Sequence, residues 1–363
     1  MLRKGMEEIK TNKKRILYLD MARGIGMILV VMGHVPYIDS TLRQFITGFH
    51  MPLFFLISGV LLEEKREEEK NYIGLFKKKL RSIMIPYVVF SLLSFLIESS
   101  RIFLKGLDEW NVVLRQLFQS CCLQGVSTLW FLPALFISEL LFLGMRKKTN
   151  HGGTIISTLV LVVGSAVLNY YENIFYYYHA VSRSYRLLHD VCSMIIRNVF
   201  CVGFICIGYY IGKWLLKNTQ NQVHRIIAFV FCAVVAYIII SKEGSVDLRF
   251  MLYDSLPLFL TGAITGSMAV IFLCQWLQNI PIKKPKQVLE YYGKNSLIIM
   301  VTHMDFRIMY ISILVLQKGF KIESFQGIYG FLIVVLVFLL EIPVIWFINR
   351  YLPFILGKMK KSS

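Results

Sequence analysis

Charged residues are scarce in this sequence, and acids are scarcer than bases. Asp, Glu, Lys and Arg make up 17% of it, with 22 acids to 40 bases. Water-soluble domains carry about 25% charged residues. No non-apolar stretch runs beyond roughly 30 residues, which leaves no room for a separate soluble domain. Cysteines are few and badly spaced for chemistry. Cys121 and Cys122 are adjacent, without metal-ligand spacing, and Cys192, Cys201, Cys206, Cys232 and Cys274 sit in or beside apolar stretches. There a thiol behaves as a small hydrophobe. Neither a disulfide framework nor a zinc site is expected, and no metal at all. No internal repeat or low-complexity tract is visible. The first apolar segment has charges inside it and no small-residue cleavage site after it, so it is expected to remain as an anchor.

What is abundant is apolar surface. Hydrophobic residues reach 56%, aromatics 14%, and the mean hydropathy is +0.59. Crossing about 30 Å of hydrocarbon takes roughly 20 apolar residues. Ten such runs can be read, at about 16–34, 44–62, 82–104, 128–145, 154–170, 192–214, 226–241, 252–276, 295–316 and 329–349, the fifth and seventh being short. The expected architecture is therefore an all-α integral membrane protein, with about ten transmembrane helices in one bundle. A basic segment 1–15 would precede the membrane domain 16–349, and a basic tail 350–363 would come after it.

The net charge of +18 is concentrated in short runs between the spans, among them "FKKKLR" and "MRKK". That location argues against nucleic acid and for the positive-inside rule, with the phospholipid bilayer as partner. The set of loops that includes both termini holds 27 Lys and Arg, the opposite set 10, and three lie within spans. Both termini are accordingly expected in the cytoplasm of a multi-pass cell-membrane protein. The loop "EEKREEEK" reads as a solvated cytoplasmic loop without chemistry. The outer segment "EWNVVLRQLFQSCCL" has helical apolar spacing suited to lying on the membrane surface. The tyrosine-rich "YYENIFYYYHAVSRSYRLLHD" reads either as an interfacial aromatic belt or as a platform on which a sugar ring or lipid-linked acceptor stacks.

Charge inside a bilayer costs about 2.5–3.5 kcal/mol per residue, so it usually faces a bundle interior or a watery cavity. The stretch "LDMARGIGMILVVMGH" is informative for that reason. Arg23 and His34 are eleven residues apart, about 1,100° of helix, which puts them within roughly 20° of one face and about 16 Å apart in height. Asp20 precedes Arg23 by three residues on the same stripe. The bland reading is a structural Asp20–Arg23 pair with a membrane-edge His34. The functional reading is a buried base, since imidazole titrates near neutral pH. In "FHMPLFFLISG", His50 lies at a similar depth, Pro52 is placed to break the helix, and Ser58-Gly59 are small. Lys77, Lys78, Lys79 and Arg81 form a basic mouth that either anchors the third span or grips phosphates. Trp130 and Pro133 lie at the outer end of the fourth span. "GKNSLIIMVTHMDFR" carries Asn295, His303 and Arg307, with Asn295 or Ser296 alternatively a helix N-cap.

Five short elements occur in order: "LDMARGIGMILVVMGH", "FHMPLFFLISGVLL", the basic run before "IPY", "LWFLPALF" and "GKNSLIIMVTH". Together they resemble the acyltransferase-3 family of bacterial membrane acyltransferases, over nearly the whole chain. The resemblance implies an O-acetyltransferase that moves acetyl from cytoplasmic acetyl-CoA to a hydroxyl of a surface carbohydrate or lipid-linked glycan. The family's Arg and His carry over onto Arg23 and His34. His34 would act as general base or transient acyl acceptor, and Arg23 would stabilise CoA phosphates or the developing oxyanion, with Asp20 beside it. Candidates for acyl-CoA or acceptor binding are His50, Arg81, Lys77, Trp130, Ser58, Asn295 and His303. The rival readings are a multi-span transporter or flippase, whose intramembrane charges would line a pathway, and a structural or sensory membrane protein. Neither an acceptor nor an oligomeric state is specified by any residue pattern.

Overall fold

The structure is a computed structural model, and it describes residues 16–358 except 180–182, 218–220 and 320–326. The expected basic segment 1–15 and the end of the basic tail lie outside the described residues. Among the described residues there is no strand, only an isolated antiparallel bridge between Asp247 and Leu252. The helices are α1 (Leu17–His34), α2 (Ser40–Thr47), α3 (His50–Glu64), α4 (Tyr72–Lys79), α5 (Ile85–Lys105), α6 (Trp110–Cys121), α7 (Phe131–Lys148), α8 (His151–His179), α9 (Arg183–Leu216), α10 (Gln222–Glu243), α11 (Leu256–Leu277), α12 (Lys283–Lys294), α13 (Ser296–Thr302), α14 (Ile308–Leu314) and α15 (Ile328–Tyr351). A π-helical turn, Leu80–Met84, joins α4 to α5.

Among the described residues, nine helical segments are long and apolar enough to cross a membrane. They make this an all-α, multi-span membrane protein. The run expected as a tenth continuous span at 295–316 is instead broken into α13 and α14. Arg307 adopts a left-handed backbone at φ 58° in the turn between them. Apolar length alone had hidden the break, because it falls on the few polar residues His303, Asp305 and Arg307. The fifth and seventh spans, expected to be short, extend to 29 and 22 residues in α8 and α10. Helix α3 begins at His50 with Pro52 in its first turn, so the expected break lies before His50 rather than at the proline. A first-turn proline forfeits no helical hydrogen bond. The segment Trp110–Cys121 is the amphipathic helix its spacing indicated, with only Val113 buried.

The bundle is layered by burial. In the segment that includes α3, 83% of the apolar window is buried, against 17% in α10 and 22% in α8. The polypeptide around the centre packs almost backbone to backbone at glycines. A Cβ on Gly59 would fall 2.1 Å from the Ile205 carbonyl oxygen, and one on Gly208 would fall 2.0 Å from that of Leu56, so α3 and α9 approach reciprocally. Helices α1 and α12 do the same. A Cβ on Gly24 would fall 2.1 Å from the Leu289 carbonyl oxygen, and one on Gly293 would fall 1.7 Å from that of Asp20. Small residues at helix crossings permit this approach in membranes, where van der Waals packing replaces the hydrophobic drive. The α1–α12 crossing is also what sets Asp20 and Arg23 beside the start of α13.

Because the obstructing atoms are backbone carbonyls, no rotamer change relieves a methyl group there. Gly59→Ala and Gly293→Ala should each cost about 1–3 kcal/mol or more by overpacking, read as a fall in thermal unfolding temperature in detergent. Gly164→Ala, which meets nothing within 4 Å, should not destabilise the protein.

Candidate active site

Two cavities lie along the polar stripe of α1. The first, about 460 Å³, surrounds its Asp20–Arg23 end. Asp20 Oδ1 and Arg23 Nη1 stand 3.7 Å apart, one helical turn of each other as the i,i+3 spacing required. Ser58 of α3 and Asn295, between α12 and α13, also line this cavity, so four of the expected site residues meet there. The Asn295 side chain is not a helix N-cap. Its amide donates to the Tyr291 carbonyl at 2.8 Å, and its oxygen accepts from Asn349 at 2.8 Å.

Two acids that no sequence pattern singled out, Glu139 and Glu67, line the walls together with Lys79 of the basic mouth. Glu139 of α7 is buried and accepts the Ser58 hydroxyl. Lys79 reaches Glu139 at 2.8 Å and Glu67 at 3.2 Å, while Lys78 also binds Glu67. Glu67 belongs to the "EEKREEEK" loop, which is therefore not simply solvated: its carboxylate is fully buried in the cavity wall. Charge counting alone could not single out one glutamate among five in that loop. Buried in the wall, the Glu67 carboxyl would tend to rise above the usual carboxylate range. Lys79 and Lys78 outweigh this and hold it well below that range. Burial, and then the neighbouring Lys78 and Lys79, depress the Lys65 ammonium. The cavity lining carries five bases (Arg23, Lys65, Lys79, Lys294, Lys358) against three acids (Asp20, Glu67, Glu139). Such an excess, partly desolvated, suits a polyanion. Arg81 and Lys77 are exposed on the same basic run and lie outside this lining.

The second cavity, about 370 Å³, opens around His34 at the other end of α1, with Ser127, Asp305, Arg307 and Glu98 in its wall. His34 is exposed to it, whereas His50 and His303 are buried. His34 and His303 meet edge to face, ring centroids 5.3 Å apart. All three imidazoles are oriented alike. Each Nδ1 lies against the backbone carbonyl four residues back: Val30 at 2.8 Å, Ile46 at 2.9 Å and Ile299 at 2.7 Å. A carbonyl only accepts, so Nδ1 carries the proton and Nε2 presents the lone pair. The partner that fixes His34 is thus its own helix, not Asp20. Asp305 lies 3.3 Å from the Thr128 hydroxyl, and Arg307 pairs with Glu98 at 3.1 Å. Trp130 lines neither cavity. It packs under the fully buried Arg197, whose guanidinium sits 5.0 Å over the indole and donates to the carbonyls of Arg249 and Gln124. Among the described residues no three His, Cys, Asp or Glu are grouped to hold a metal ion.

The partition between the cavities is bordered on its two sides by residues close in the chain. Met300 and Phe131 line the Arg23 cavity, while Met304 and Ser127, each four residues away, line the His34 cavity. The arrangement offers a basic chamber at one end of α1 and a lone-pair base at the other, with methionine among the residues between them.

Residues 16–350 match the family model for the acyltransferase-3 domain, described as an acyltransferase domain. No curated protein and no solved structure is matched.

Removing Lys79 takes from the buried Glu139 carboxylate its ion-pair partner, while Glu67 keeps Lys78. Lys79→Met should cost about 3–5 kcal/mol, and adding Glu139→Gln to it should recover part of that loss in thermal unfolding. The Glu67 carboxyl, held low, stabilises the protein above the ordinary carboxylate pKa of about 4.3, and this contribution is lost as pH falls through its depressed folded value. Glu67→Gln should therefore be less stable than the native protein at neutral pH. The gap in unfolding temperature should close on acidification below about pH 4.

Proposed function

The chain belongs to the acyltransferase-3 family, and from that membership we propose that it is an O-acetyltransferase of the cell membrane. It would move acetyl from cytoplasmic acetyl-CoA to a hydroxyl of a cell-surface or lipid-linked carbohydrate. The observation that carries this reading is the pair of cavities back to back along α1. The basic chamber lies at the end that the Lys and Arg distribution assigns to the cytoplasm, where a nucleotide-bearing thioester is available. The His34 chamber faces the opposite side, where a glycan is displayed.

In this reading the phosphates of the donor rest against Lys79, Lys65 and Arg23, and the acyl thioester reaches toward the partition. The Nε2 lone pair of His34 accepts the proton of the acceptor hydroxyl as that oxygen forms its bond to the acyl carbon. The carbon–sulfur bond then breaks and the proton passes to the departing thiolate, so that ester and free thiol are the products. Alternatively, Nε2 takes the acyl group first and yields it to the acceptor. Both routes need the ring orientation that the Val30 carbonyl enforces. Membership of an acyltransferase family favours this reading over transport, because a pathway for solutes has no use for an acyl donor.

His34→Ala should insert and fold, since the side chain is exposed to its cavity, yet lose about 10²–10⁴-fold in transfer. The measurement is acetyl incorporation into glycan in proteoliposomes supplied with acetyl-CoA. Full glycan acetylation by that variant, or product formation without any acyl donor, would overturn the assignment.

A further inference from the structure

A third cavity, about 530 Å³, lies between the end of α8 and the loop 244–255, away from both chambers on α1. Its walls include Asn169, Tyr170, Asn173, Tyr253 and Asp254. We propose that it is a carbohydrate subsite, which holds a neutral sugar unit of the acceptor next to the unit that is acylated. The role of the bound sugar as acceptor rests on the acyl-transfer reading, whereas the binding itself does not.

The chemistry of the lining selects the ligand class. A sugar presents a flat face of C–H groups and a rim of hydroxyls, so it needs an aromatic face beside planar donors and acceptors. Tyr170 and Asn173 lie one helical turn apart on α8, and neither side chain makes a hydrogen bond among the described residues. Tyr170 is 63% exposed. Tyr253 is a rigid platform, because its ring stacks on Phe259 at 5.4 Å and 12° and on Phe200 at 6.1 Å and 21°. A platform fixed before binding saves ordering entropy. The described lining contains one acid and no base. That composition disfavours a phosphate or an anionic lipid headgroup, and it separates this cavity from the basic chamber around Arg23. An interfacial tyrosine belt would explain the aromatics but not Asn173 beside them.

Position connects the cavity to His34. The bridge between Asp247 and Leu252 closes a small hairpin, with mutual backbone bonds of 3.0 and 2.9 Å. Met251 and Leu252 line the tyrosine cavity, and the Met251 carbonyl accepts the Asn169 amide at 2.9 Å. Arg249 donates to the Gly125 carbonyl at 3.4 Å, beside the Val126–Ser127 wall of the His34 cavity. The hairpin thus borders the tyrosine cavity directly and reaches, through Arg249, the segment that walls the His34 cavity. A glycan lying over it would engage both.

The test uses the full chain in nanodiscs, carrying His34→Ala so that no turnover intervenes, with maltotetraose and chitotetraose as probes in saturation-transfer NMR. At least one probe should bind, and Tyr170→Ala and Asn173→Ala should each weaken it fivefold or more. Tyr170→Phe, which keeps the ring, should weaken it less than Tyr170→Ala. Leu168→Ala, at an exposed apolar position of the same helix, should leave binding at its starting strength. Binding of neither sugar, sugar binding that survives both alanine substitutions, or displacement of the sugar by anionic lipid vesicles would overturn the subsite. Probe binding without any glycan acylation by the native chain would instead sink the transferase reading and leave the subsite standing.

Discussion

A charge inside a bilayer must be paired, hydrated or absent, and this constraint arranges most of what the protein offers chemically. Lys79 is held between Glu139 and Glu67, with Ser58 bonded to Glu139, so four segments of the chain converge on one buried ammonium. Arg23 stands beside Asp20 and lines the same chamber. Arg197 takes a third solution. It is wholly buried, bonded to two carbonyls and covered by the Trp130 ring. Each arrangement pins helices that apolar packing alone would leave free to slide, since lipid tails are as apolar as the helix faces.

The same economy governs the histidines. An imidazole with one nitrogen committed to a backbone carbonyl has a single tautomer when neutral, and His34, His50 and His303 all share that arrangement. Orientation therefore comes from local helix geometry and needs no buried acid. It leaves Nε2 as the reactive atom at His34, at the end of a helix whose other end carries the guanidinium. Close glycine contacts of α1 with α12 hold that helix in place while the chambers on either side remain open.

Much of this was legible in the residues. The helical stripe of Asp20, Arg23 and His34 came from spacing, and the spans from apolar length. Glu139 was not legible, because an isolated acid within an apolar run has no periodic partner and its counterion Lys79 is remote in the chain, on another element. Glu67 was hidden among like residues, since only the fold decides which of several adjacent carboxylates turns inward. The break between α13 and α14 was missed because hydropathy averages over the three polar residues that cause it. The place of Trp130 near the end of a span says nothing of its neighbour Arg197, remote in the sequence, which the indole covers.

What the sequence by itself determined is local and periodic: the all-α membrane class, the approximate spans, and the face and height of each polar residue on its own helix. Those quantities depend only on a residue's neighbours within a few turns, where helix geometry is rigid. What tertiary structure alone decided is which faces meet. It set the basic chamber and the His34 chamber at the two ends of α1, drew Glu67 and Glu139 onto Lys79, and placed a tyrosine- and asparagine-lined cavity beside the Asp247–Leu252 hairpin. Those are distances between segments far apart in the chain, and they arise from packing and desolvation summed over the whole bundle.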